Sequence, residues 1–253
     1  MIRIKKISCV ILGLLVSSTA VGQNKLFEAR LGFQYAPQSY ELDGGGFTTE
    51  SGLSTGNGFS ASLYWTKPEA SYHFEFMSLN YNHDAPVGVT PSSVNSGFQR
   101  YLIAKEPTHQ TSHGGYQGDS KLRFNYGLDI RQRTADRTAP TVYIPESYTA
   151  GARIGVNRGI PYNSQSRFSV GGGVFIPLYH DEQTSKTGHY RFSLNPDFHF
   201  TAVHKISPSF DISTGVEILL QRISYSATGE RGTSNGVETF LNLQIPIELR
   251  FQF

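Results

Sequence analysis

Leu241-Asn242-Leu243-Gln244-Ile245-Pro246-Ile247-Glu248-Leu249-Arg250-Phe251-Gln252-Phe253 is the stretch that decides the fold. Leu241, Leu243, Ile245, Ile247, Leu249, Phe251 and Phe253 fall on one face, and Asn242, Gln244, Glu248, Arg250 and Gln252 on the other. A period of two belongs to a β-strand, whose successive side chains point to opposite sides. A helix repeats its apolar face every 3.6 residues or so and would smear this pattern around its whole circumference. A soluble amphipathic strand rarely sustains the alternation for so long.

The same signature recurs upstream. Leu122, Phe124, Tyr126, Leu128 and Ile130 alternate with Arg123, Asn125, Gly127, Asp129 and Arg131. Phe210, Ile212, Thr214, Val216, Ile218 and Leu220 stand against Asp211, Ser213, Gly215, Glu217 and Gln221. Further segments are 27–36, 57–66, 71–81, 147–157, 167–178 and 190–203. Their length exceeds that of ordinary soluble strands and matches the roughly 9–11 tilted residues that cross a bilayer. A soluble β-sandwich is the alternative, and the connectors argue against it. Lys67-Pro68-Glu69-Ala70 and Ile206-Ser207-Pro208-Ser209 read as tight turns, whereas 37–56, 179–189 and 224–237 read as long polar loops. Short turns at one rim and long loops at the other predict a single antiparallel up-and-down transmembrane β-barrel, all-β.

Aromatic residues fall at both ends of these segments. Phe27, Trp65, Tyr72, Phe168, Phe200, Phe210, Phe251 and Phe253 mark one interface, and Tyr35, Tyr81, Tyr148, Tyr190 and Tyr225 the other. If both tight turns lie at one rim, an even number of strands must separate them, yet only five segments are obvious between them. The gap 82–120 must hide another, and Phe98–Lys105 is the one plausible β segment in it. About ten strands result, with eight or twelve open.

The N-terminal residues predict export. Arg3, Lys5 and Lys6 precede an apolar run from Ile7 to Val16 and then small residues, the pattern of a secretory signal peptide over 1–22. Cleavage fits after Gly22 or after Ala20, leaving 23–253 as one barrel domain. Cys9 lies inside the signal core, so the mature part has no thiol for a disulfide, a metal site or a nucleophile. Loss of Arg3, Lys5 and Lys6 takes the net charge from +2 to about −1, which removes the support that a pI near 8.6 lends to nucleic-acid binding. The mean hydropathy of −0.31 would ordinarily mean a soluble protein. A barrel evades that rule because only alternate residues face lipid.

The export signal, the alternating strands and Ile245-Pro246-Ile247-Glu248-Leu249-Arg250-Phe251-Gln252-Phe253 together resemble the bacterial outer-membrane β-barrel class. The resemblance covers the whole mature chain. It implies a place in the outer membrane of a Gram-negative bacterium, contact with outer-membrane lipids and lipopolysaccharide, and delivery to the barrel-assembly machinery through the last strand ending at Phe253. It implies no activity.

Inward faces carry Arg30, Arg123, Arg131, Arg153, Arg191 and Arg250 against Glu28, Glu75, Asp129, Asp197, Asp211, Glu217 and Glu248, with His73 and His199. A barrel this narrow has little room beyond its own side chains, so a paired, hydrogen-bonded filling is expected. Closure should bring Glu28 and Arg30 beside Glu248 and Arg250 and form ion pairs across the seam. Asp197-Phe198-His199 puts an acid and an imidazole on one inward face, where the acid could orient the His as a general base. That pair is similar to one in omptins, ten-stranded outer-membrane proteases, and the resemblance would make Asp197 the acid and His199 the base. The second omptin pair, Asp-x-Asp, has its nearest counterpart in His83-Asp84, whose side chains point to opposite faces of a strand. His189 with Ser193 echoes the His and Ser of outer-membrane lipid A deacylases, at a different parity.

No cofactor and no metal site are expected. His109 and His113 have only Asp119 nearby, Gly44-Gly45-Gly46 reads as a loop, and Gly171-Gly172-Gly173 as a kink or a close approach within a strand. The expected function is a structural or surface-interaction barrel without a catalytic site, with loops 37–56 and 82–97 outermost. A small, weakly selective pore is the first alternative, and a hydrolase using Asp197 and His199 the second.

Overall fold

The computed structural model describes residues 27–44, 47–67, 70–84, 93–107, 122–135, 146–182, 187–191, 193–229 and 232–253. The expected signal segment with Cys9, and His109, His113 and Asp119, lie outside them. Every regular element among the described residues is a strand: β1 (Phe27–Tyr35), β2 (Gln38–Gly44), β3 (Phe47–Thr66), β4 (Ala70–Asp84), β5 (Ser93–Pro107), β6 (Leu122–Ala135), β7 (Ser147–Pro161), β8 (Ser166–Glu182), β9 (Thr187–Arg191), β10 (Asn195–Ser207), β11 (Phe210–Gly229) and β12 (Gly232–Gln252).

All pairings are antiparallel, and the sheet closes on itself. β1 pairs with β12 from Glu28↔Gln252 to Tyr35↔Ile245, and the Phe253 N–H donates to the Phe27 carbonyl at 2.9 Å. β1 and β2 are two stretches of one stave, interrupted at Ala36-Pro37, since both lie between β12 and β3. β9 and β10 likewise both run beside β11. Twelve strands therefore make ten staves. The strand demanded by parity is present as β5, which contains Phe98–Lys105.

Two expectations about the connections change. The segments 37–56, 179–189 and 224–237 are largely strand rather than loop: β2 and β3 fill 38–44 and 47–56, and β11 and β12 stay paired up to Gly229↔Gly232. Strands with water on both sides need no apolar face, so their sequence loses the period of two while the backbone ladder continues. On the rim that carries Phe27 and Phe253, the turns at Lys67–Ala70, Asn163–Ser166 and Ser207–Phe210 are tight. The connection between Pro107 and Leu122 on that same rim is long, and residues 108–121 lie outside the described ones.

Burial is inverted relative to a soluble protein. Phe33, Phe124, Ile154 and Ile247 are 52–61% exposed, while Arg100, Asp129, Asp211 and Gln244 are at most 1% exposed. Lipid is the solvent that makes such a surface favourable. Aromatic side chains ring the terminal rim: Phe27 stacks on Trp65 at 5.9 Å, Phe168 on Phe200 at 5.6 Å, and Phe210 meets Phe251 at 5.3 Å. At the opposite rim Tyr35 and Tyr148 face outward, but Tyr81 does not. It points into the barrel and its hydroxyl accepts from Asn242 Nδ2 at 2.5 Å. Its parity follows His73, Glu75 and Met77, the inward face of β4.

Ile247 lies midway along the outward face of β12. Replacing it by Arg should cost about 2–4 kcal/mol of folding free energy in vesicles, the range for a charge at the bilayer midplane. Urea titration of the reconstituted barrel measures this, and an unchanged midpoint would mean that this face does not meet hydrocarbon.

Candidate functional site

The inward residues form three levels. At the terminal rim Arg30 Nε donates to Glu28 at 2.5 Å and lies over the Tyr64 ring at 3.8 Å, while Arg250 reaches Glu248 at 3.2 Å and Ser213 at 2.8 Å. Closure does bring these four charges together. The expected pairing across the seam is replaced by pairing along each strand, because the register sets Arg30 directly opposite Arg250. Like charges face each other there, so each guanidinium turns to the carboxylate two residues along its own strand.

The middle level is centred on Arg100. Its Nε donates to both oxygens of Asp129 at 3.2 Å, its Nη1 donates to Glu217 at 3.1 Å, and Glu75 lies 3.7 Å away. Staves β5 and β11 are five apart in a ring of ten, so Arg100–Glu217 spans the full width of the lumen. Arg131 adds a 2.9 Å bond to Asp129. Arg153 makes a two-point pair with Asp197 at 2.9 and 2.5 Å and donates to Asn125 at 2.8 Å.

Arg153 stands on β7 and Asp197 on β10, with β8 between them. The guanidinium crosses β8 because Gly173 has no side chain: a Cβ there would come within 2.9 Å of Arg153 Nη2. Gly171 does the same for His199, whose Cε1 would lie 2.6 Å from an added Cβ. The glycine run is thus a close approach, one of the two readings its sequence allowed.

Towards the far rim the filling turns apolar. Ala36, Met77, Leu79, Tyr81, Phe98 and Leu219 cluster out of contact with solvent. Arg131 lies over Phe175 at 4.0 Å, and Arg133 on β6 lies over Phe240 on β12, again five staves across. A cavity of about 10 Å³ remains between Phe98, Arg133, Leu219, Phe240 and Asn242, room for about one water molecule.

Asp197 and His199 share the inward face of β10 as expected, but the carboxylate is engaged by Arg153 through both oxygens. His199 sits opposite Glu217 on β11 and Gly171 on β8. Arg123 is at the terminal rim, 45% exposed, and pairs with Glu106 at 3.2 Å. Ser193 Oγ donates to the Arg222 carbonyl. The side chains of His83, Asp84, His189 and Arg191 lie outside the described ones. Arg100, Arg133, Phe175 and Phe240 are lumenal residues that the sequence did not single out. Carrying the alternation through 98–105 would have put Arg100 inside.

No protein-family model and no curated protein sequence matches the chain. Among solved structures, the outer membrane protease OmpT from Escherichia coli superposes with a TM-score of 0.54 at 7% identity, covering 94% of this chain and 100% of that one. The outer membrane protein OprG from Pseudomonas aeruginosa gives 0.43 at 9% identity over 90% of this chain and 95% of its own. Neisserial surface protein A gives 0.36 at 10% identity over 92% and 100%. The OmpT superposition carries the fold.

Arg153→Met should leave Asp197 buried without its partner and cost about 3–5 kcal/mol, whereas Arg153→Met with Asp197→Leu should recover most of that loss. Urea unfolding of the barrel in vesicles measures both. Equal losses in the single and double variants would mean that the pair is not desolvated.

The closed ten-stave sheet, apolar outside and charged within, gives the chain the β-barrel fold of the outer membrane protease OmpT.

Proposed function

We propose that this barrel acts through its outward wall, in a structural or surface-interaction role, and neither conducts solutes nor catalyses a reaction. The observation that carries the proposal is the Arg100–Glu217 bridge across the lumen, with Asp129 and Glu75 beside it and the apolar cluster towards the far rim. A pore needs a continuous path for a solute, and both the bridge and the apolar cluster set side chains across that path.

On one side the wall stands tall. β11, β12, β2 and β3 remain paired well past Leu241, the outermost exposed leucine of β12, to tips at Gly229↔Gly232 and Gly44↔Phe47. With the terminal rim in the periplasm, these hairpins reach away from the cell. The partner they meet is extracellular. In the same reading 1–22 is the cleaved export signal, lipopolysaccharide packs against the outer part of the belt, and the barrel-assembly machinery engages the last strand through Phe253.

In planar bilayers the wild-type protein should show no channel steps, while Arg100→Ala with Glu217→Ala should give small, weakly selective ones. Steps in the wild type would overturn the closed-lumen proposal. Bacteria displaying the protein should lose adherence or self-aggregation when 225–236 is cut back to a two-residue turn, with the barrel still folded. Unchanged behaviour in both assays would remove the surface role. Peptide hydrolysis that disappears in His199→Ala would establish the hydrolase alternative instead.

A further inference from the structure

Four residues follow one another around the terminal rim as direct cross-strand partners: Phe27 opposite Trp65, Trp65 opposite Tyr72, and Tyr72 opposite Lys105. All are on the outward face. The rings touch in sequence, Phe27 to Trp65 and Trp65 to Tyr72, each at 5.9 Å. Two ammonium groups lie on this band: Lys67 Nζ is 4.0 Å from the Trp65 ring centre and 5.9 Å from that of Tyr72, and Lys105 Nζ is 5.7 Å from that of Tyr72. Among the described residues neither lysine has an ion pair within 4.0 Å, and the neighbouring carboxylate Glu106 is taken by Arg123.

Such an arrangement has room for an anion. Aromatic rings on an exposed barrel face sit at headgroup depth, and lysines there keep their stems on the apolar surface and their charges in the polar layer. Cation–π contact offsets part of an ammonium's desolvation but leaves its N–H donors unused. The group at that depth which offers a charge and several acceptor oxygens together is the phosphodiester of a glycerophospholipid.

We propose that Lys67 and Lys105, cradled by Trp65 and Tyr72, form a binding site for the phosphate of an anionic phospholipid in the leaflet at the terminal rim. The site rests on the membrane-barrel reading above. Both ammonium groups lie close to the Tyr72 ring centre, at 5.9 and 5.7 Å, so that a single phosphate over that ring can reach both. Phosphatidylglycerol suits the site better than a zwitterionic lipid, because it brings no competing cation of its own.

Trp65 is the single tryptophan of the chain, so its emission reports on this site alone. The barrel is reconstituted in phosphatidylcholine vesicles and titrated with phosphatidylglycerol or phosphatidylcholine brominated near the headgroup. Brominated phosphatidylglycerol should quench Trp65 at a mole fraction at least about five-fold lower than brominated phosphatidylcholine, that being the preference expected from one lysine near an anionic surface. Lys67→Gln with Lys105→Gln should abolish that preference while the barrel keeps its heat-modifiable migration. Equal quenching by both lipids in the wild type, or a preference that survives the double substitution, would overturn the site. Loss of the preference on adding inorganic phosphate would make it a free-phosphate site and overturn the lipid assignment. Absence of quenching by either lipid would sink the membrane-barrel reading and the site with it.

Discussion

Hydrocarbon offers no hydrogen-bond partners, so a sheet inside it must leave no open edge. In this chain that constraint is met where β1 lies against β12, eight residues in register from Glu28↔Gln252 to Tyr35↔Ile245, with the backbones of Phe27 and Phe253 bonded beyond them. Everything else follows from that closure. Ten staves give a lumen narrow enough for side chains from opposite walls to meet, as Arg100 meets Glu217 and Arg133 meets Phe240. Closing the ring turns polar inward faces into a buried interior. Its charges must then find partners within the lumen.

Those charges do more to specify than to stabilise. A guanidinium and a carboxylate taken out of water recover in each other roughly what they lose, whereas a single unpaired one is costly. The middle level sets Glu75, Asp129, Asp197 and Glu217 against Arg100, Arg131 and Arg153, with His73 within 3.4 Å of Glu75. A slip of one residue between two staves would turn such a side chain into lipid and leave its partners alone in the lumen. Against a slip of two residues, which keeps every face where it is, the filling holds the register that the apolar belt by itself would hold only loosely, because Leu249 and Ile247 then exchange places against lipid.

How much was legible depends on which solvent selects each face. Lipid tolerates no charge, so the outward face of β12, from Leu241 to Phe253, keeps an unbroken period of two that sequence displays directly. The lumen accepts both kinds of residue. Met77, Leu79, Phe98 and Phe240 are inward and apolar, so the alternation fades there, and Tyr81 passes for a residue of the outer girdle. Above the bilayer both faces are wet, and β2 and the ends of β11 and β12 lose the pattern altogether while their ladders continue. The seam is an intermediate case. Parity places Glu28 and Arg30 near Glu248 and Arg250, but which cation takes which anion depends on Arg30 facing Arg250, and that needs the register.

The same geometry bears on the Asp197-Phe198-His199 pattern. On a strand, neighbours that share the inward face are always two residues apart, so any two consecutive lumenal polar residues produce such a spacing. Glu28 with Arg30, His73 with Glu75, Asp129 with Arg131 and Glu248 with Arg250 have it too, and in each the two side chains touch. Spacing alone therefore reports the strand period. A catalytic dyad would be distinguished by what a third strand brings to it, and what β7 brings to Asp197 is Arg153, led across β8 by the missing side chain of Gly173. A carboxylate held at both oxygens by a guanidinium has its charge compensated and its direction fixed, and little of either is left to orient an imidazole. The glycine run, the arginine and the acid thus form one structural unit, and His199 stands beside it in the space that Gly171 leaves.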